Sequence, residues 1–169
     1  AAGIRQHVLL TTLEAFESPE MQYQKVASAN VARWAAAASP ANATPGKSRV
    51  LVLPGDWGDT TLQMTKEYGT IFASLNMANA YCPGGGYVEG MVAQEENMFR
   101  RTDCHFSIKK EHMAPNGLYL EEHTALLSAA DGRVYLDVLQ PRVCIRGAED
   151  RSAPDLGYPW LPHEEVFPF

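Results

Sequence analysis

Three consecutive glycines, Gly84, Gly85 and Gly86, stand seven residues ahead of Gln94, Glu95 and Glu96. Such a triplet supplies backbone that adopts positive φ and lets a ligand approach the bare peptide. Its amides can converge on an anion. The Gln-Glu-Glu run opens a predicted helix over 94–101, and acids in a first turn suit the positive end of the helix dipole. Residues 70–77 read as a strand ending just before the triplet. Strand, glycine loop, helix is the order found at phosphate sites of α/β folds. Adjacent helical residues point about 100° apart, so Glu95 and Glu96 cannot do the same job.

The rest of the chain fits around that unit. Ile4, Val8, Leu9, Leu13 and Phe16 are spaced for a helix over 4–16, broken by Ser18 and Pro19. An alanine-rich stretch predicts a second helix within 20–38, and 39–48 reads as a loop. Residues 49–53 predict a short buried strand, stopped by Pro54 and Gly55. Asp59 or Thr60 is a candidate cap for a helix running to about Tyr68, ended by Gly69. Residues 133–139 and 143–145 predict further strands. The tail, 152–169, carries four prolines and little periodicity. The expectation is one α/β domain over 1–169, with a helical N-terminal extension over about 1–40.

A chain of 169 residues is long enough to bury a real core. No apolar run approaches the length of a transmembrane helix. The first residues lack a basic region followed by an apolar one, so no signal peptide is expected. The net charge of −6 argues against a broad nucleic-acid surface, though not against an anion held by backbone amides. Cys82, Cys104 and Cys144 are odd in number and widely spaced. They provide no disulfide framework and fit a reducing compartment, cytoplasm or nucleus, including a host cytosol reached by a secreted effector. Asp103, Cys104, His105, His112, Glu121, Glu122 and His123 form a loose cluster without ordinary zinc-ligand spacing, so no metal is expected.

The triplet with its Gln-Glu-Glu resembles the signature of poly(ADP-ribose) glycohydrolases. The flanks agree: residues 75–80, Leu-Asn-Met-Ala-Asn-Ala, look like the segment before the triplet, and Cys82-Pro83-Gly84 looks like the Asn-Pro-Gly entry of the microbial branch, with Cys in place of Asn. The strong resemblance covers about 69–103. It implies an α/β fold, a three-layer α/β/α macrodomain-like mixed sheet. Nothing after Gly147 matches the family's second diphosphate loop, so a C-terminally truncated domain is expected.

The resemblance also implies roles. Glu96 would be the catalytic acid/base and Glu95 would orient a ribose, with Gly84, Gly85 and Gly86 cradling the diphosphate. Gln94 would bond ribose or order the loop. Asn79, rather than Asn76, would contact ribose near the scissile bond. Tyr87 and Phe99 are candidates to stack on adenine, although aromatic residues there are more often core. Asp56 is a candidate adenine-reading acid, Arg146 a strand-end arginine, and Asp103 an acid serving arginine-linked substrates. The activity implied is release of ADP-ribose from poly(ADP-ribose) or from a mono-ADP-ribosylated protein, with no cofactor. The partners are ADP-ribose or the modified protein, with no direct nucleic acid and no membrane. The alternative is a non-catalytic ADP-ribose reader, which would need neither acid.

Overall fold

The computed structural model describes residues 1–38, 49–79, 84–107, 124–129, 132–137 and 141–169, the stretches 124–129 and 132–137 by backbone alone. Four α-helices carry most of the order: α1 (Ala2–Glu17), α2 (Tyr23–Ala37), α3 (Trp57–Tyr68) and α4 (Gln94–Arg101). Two antiparallel ribbons and two short 3₁₀ helices, Asp103–Ser107 and His163–Glu165, accompany them among the described residues. β1 (Thr124–Ala129) pairs with β2 (Gly132–Asp137) in a hairpin whose last register pair is Ala129 with Gly132. β3 (Val143–Cys144) pairs with β4 (Phe167–Pro168).

The helices lie where periodicity puts them. α1 buries Val8 and Leu9, and Leu13 and Ile4 pack beside them. Ser18 ends it in extended backbone. α3 starts earlier than the sequence suggests, because Asp56 is its cap: the carboxylate accepts from the Gly58 and Asp59 amides. Gly69, at φ 62°, terminates it in the left-handed region, and a Cβ there would meet Ala35 backbone at 2.3 Å. That position therefore requires glycine twice over, by conformation and by contact with α2.

α1 packs on α4, and α2 packs on α3, β3 and β4. Tyr23, Ala27, Val143, Ile145 and Val166 form one buried cluster, and Leu9, Tyr87, Met98, Phe99 and Cys104 form another against α4. The first two helices thus help build the body that carries α4.

Two expected strands are not strands. Residues 49–53 and 70–79 enter no ladder, and their apolar side chains face water: Val50 and Val52 are 92% and 94% exposed. Leu75 and Met77 are exposed as well. A continuous apolar run becomes a buried strand only when neighbours pair with it and cover both faces. Among the described residues nothing does so. The architecture is a mixed one of helices and small sheets, compatible with the α/β class.

Candidate active site

α4 begins at Gln94 without a side-chain cap, since Ala93 has none to offer. Its first turn is nonetheless tied down, by its own side chains reaching outward. The Gln94 amide clamps the incoming chain at two points. The Met77 N–H donates to its Oε1 at 2.9 Å, and its Nε2 donates to the Leu75 carbonyl at 2.8 Å. Of the two roles considered for Gln94, ordering the backbone is the one that these contacts serve.

Glu95 and Glu96 are both buried, 3% and 8% exposed, and their surroundings differ. Glu95 Oε1 accepts from the Gly84 amide at 2.8 Å and from Asn76 Nδ2 at 3.4 Å, while its Oε2 accepts from the Asn79 amide at 2.8 Å. One carboxylate therefore joins the end of 70–79, the glycine loop and the helix. Glu96 accepts the Gly86 amide on Oε1 at 3.1 Å, and its Oε2 is buried with no hydrogen-bond partner. The carboxylate with an oxygen to spare is Glu96.

This geometry revises the use of the glycine triplet. The amides of Gly84 and Gly86 do point at anions, but at the Glu95 and Glu96 carboxylates of the same chain rather than outward. Gly84 and Gly85 take φ of 84° and 55°. A Cβ on Gly85 would stand 2.3 Å from Glu96 Oε1, and one on Gly84 would strike the Tyr87 ring at 2.7 Å. The bare backbone lets the loop close on the two acids and on an aromatic ring.

Other candidates resolve into supports. Tyr87 is core: its ring lies 4.8 Å from that of Phe99, and its hydroxyl meets His105 Nδ1 at 2.7 Å. Asp56, the expected adenine reader, caps α3 and forms an ion pair with Arg101 at 2.7 Å. The Arg101 guanidinium also lies over the Trp57 ring, 4.9 Å from its centroid. Asp103, the candidate acid for arginine-linked substrates, is buried. It accepts from the Val143 amide at 2.7 Å and from Gln24 Nε2 at 3.2 Å, and burial pushes its carboxyl above the usual range. Arg146 is buried as well: it bonds Thr11, Thr12 and the Tyr158 carbonyl under the Trp160 ring, and burial lowers its pKa to about 10.

Asn79 is exposed and reaches Glu95 through its backbone amide. Asn76 holds Glu95 with its side chain, and its Oδ1 is buried without a partner, so Asn76 rather than Asn79 offers an acceptor next to the acids. Sequence reading missed two further members, Asn97 and Tyr158. The Asn97 side chain donates to the Tyr158 hydroxyl at 3.3 Å and accepts from Trp57 Nε1 at 3.2 Å. Nothing local marks Tyr158, which comes from a proline-rich tail and is 1% exposed.

Of the loose acid and histidine cluster, His112, Glu121, Glu122 and His123 lie outside the described residues, as does Cys82. Burial pushes the Cys104 thiol up to about 12. Among the described residues no three His, Cys, Asp or Glu side chains gather as a metal site. No helix among them is long and apolar enough to cross a membrane.

A buried carboxylate pair results, one member taken up by the Gly84 and Asn79 amides and the Asn76 side chain and the other left with an open oxygen. Residues 6–130 match the model of the family described as Microbial-type PARG, catalytic domain, PARG standing for poly(ADP-ribose) glycohydrolase. The chain belongs to this family. Membership implies a glycosidase-type hydrolase that acts on ADP-ribose polymers or ADP-ribosylated substrates. No curated protein and no solved structure matches the chain.

Proposed function

We propose that this chain cleaves the ribose–ribose bond of poly(ADP-ribose), with Glu96 as acid and then base. The observation that carries the reading is the state of the Glu96 carboxylate: one oxygen is held by the Gly86 amide and the other, Oε2, is buried and unpartnered. A proton on Oε2 passes to the glycosidic oxygen as the C–O bond breaks, and the bonding pair leaves with that oxygen. The sugar carbon becomes oxocarbenium-like. Water then adds to that carbon, and its proton returns to Glu96. The carboxylate ends as it began, and ADP-ribose is released.

Glu95 takes a supporting part here. Its oxygens already accept three bonds, so it serves to hold the loop, the Asn76 side chain and α4 in register. The unpartnered Asn76 Oδ1 suits a ribose hydroxyl, which can donate to it. With Gly84 and Gly86 turned toward the acids, the diphosphate is left to other donors. The arginine-linked alternative leaned on Asp103, which is engaged with Val143 and Gln24, and so it loses its support.

The deciding experiment is Glu96→Gln. The amide keeps an oxygen for the Gly86 N–H and removes only proton transfer. Turnover of poly(ADP-ribose) should fall by about 10²–10⁴-fold, with ADP-ribose affinity within a few-fold. Turnover near that of the unaltered chain would remove Glu96 from the chemistry. A chain that binds ADP-ribose and never hydrolyses the polymer would instead be a reader.

A further inference from the structure

Arg100 lies on the same face of α4 as Glu96, one turn on, and is 0% exposed. Its Nε donates to the Tyr158 hydroxyl at 3.2 Å, and the guanidinium sits 6.0 Å from the centroid of that ring. Its two terminal nitrogens, Nη1 and Nη2, are buried with no hydrogen-bond partner. Among the described residues no acid lies within ion-pair distance of it, although Arg5, Arg101 and Lys66 each have one.

A guanidinium with its strongest donors unanswered is an unfavourable thing to bury, and an apolar side chain of similar volume would serve packing better. The neighbouring orphan is an acceptor, Glu96 Oε2. Residues four apart on a helix share a face, with Cβ atoms about 5–6 Å apart, which sets the two orphans one turn from each other. Two donors and one acceptor meet the needs of a single water, which requires two to four polar partners.

We propose that Arg100 is a positioning residue: its Nη groups and Glu96 Oε2 together hold a water at the acid/base oxygen. The water accepts from Arg100 and donates to Glu96. It stands where protons must be exchanged with Oε2, and Arg100 fixes its orientation. Tyr158, through Arg100 Nε and Asn97, holds the guanidinium in place. This inference rests on the reading of Glu96 given above.

The test pairs Arg100→Met with Arg100→Lys. Met fills the volume without charge, so Arg100→Met should keep or raise the melting temperature and leave ADP-ribose affinity within a few-fold. It should lower kcat on poly(ADP-ribose) at least tenfold. Lys keeps donors near the same place, and Arg100→Lys should recover part of kcat. A merely structural arginine would give the opposite pattern, a lower melting temperature with kcat retained in the folded fraction, and that result would overturn the proposal. A crystal structure of the unaltered protein provides a readout independent of turnover. Solvent density bridging Arg100 and Glu96 is expected; Nη groups bonded elsewhere would overturn the proposal even if hydrolysis stands. Bridging density in a chain without hydrolytic activity would instead retire the glycohydrolase reading and leave the water site.

Discussion

The glycine loop with α4 and the apolar segments 49–53 and 70–79 are treated very differently by the fold. The glycine loop and α4 form a densely tethered unit, in which Glu95 alone accepts bonds from three residues and Gln94 makes two more to backbone. Residues 49–53 and 70–79 are richer in apolar side chains yet enter no ladder and leave those side chains exposed. Apolar content drives burial only where a partner surface exists, whereas a polar side chain beside a loop brings its own partner in the adjacent backbone. The site is therefore ordered by polar tethers from α4 outward.

Removing the central tether should have the largest effect. Glu95→Ala frees the Gly84 and Asn79 amides and the Asn76 side chain together. Hydrogen bonds to a charged group contribute about 1.5–3 kcal/mol each, with incomplete additivity, so about 3 kcal/mol of stability should be lost, read by chemical denaturation. Turnover should fall with it. If stability changes by under about 0.5 kcal/mol, a range usual for surface substitutions, the tethered unit is not what orders the site.

Gly85→Ala should come next. Its Cβ would lie 2.3 Å from Glu96 Oε1 at a φ of 55°, which costs about 1–2 kcal/mol in conformation alone. Because the clash is with Glu96, kcat should suffer more than ADP-ribose affinity. The reverse order would return the triplet to the role of a phosphate cradle.

Asp103→Asn tests a tether outside the loop. Burial raises the Asp103 carboxyl above its ordinary 3.8, so the folded state binds that proton more tightly than the unfolded one. Its contribution to stability is then full below the ordinary value and is lost as pH rises through the folded one. An amide can still accept from Val143. The variant should therefore match or exceed the parent in melting temperature at pH 7 and lose that advantage near pH 3.5. A lower melting temperature at pH 7 would show that the charge itself is needed.

The smallest effect is expected at the other pole of the comparison. Val52 is 94% exposed, so Val52→Lys should change stability by less than about 0.5 kcal/mol. A loss of several kcal/mol would place Val52 inside a sheet and erase the contrast.

Local pattern is where sequence reading succeeded. α4 spans the predicted residues, because acids in a first turn and basic residues in a last turn, Arg100 and Arg101, are local signals. α1, α2 and the end of α3 at Gly69 follow for similar reasons of periodicity and stop residues. The strands over 49–53 and 70–77 were misjudged because strand formation depends on neighbours far along the chain. Asp56 and Asp103 looked like site residues because an acid near a motif gives no hint of its partner. Those partners are Arg101, Val143 and Gln24, between 40 and 79 residues away.

The sequence by itself determined that a glycine loop would precede a helix opening on two carboxylates, and which family the chain belongs to, since both depend on spacing along 84–96. Only the tertiary structure decided how the two carboxylates divide their work. Glu95 is taken up by Asn76, Asn79 and Gly84, while Glu96 Oε2 has no hydrogen-bond partner. The physical reason is that a carboxylate's role depends on how many donors reach it, and those donors are positioned by a loop turned back on the helix and by the packing of α1 and Tyr158 behind it.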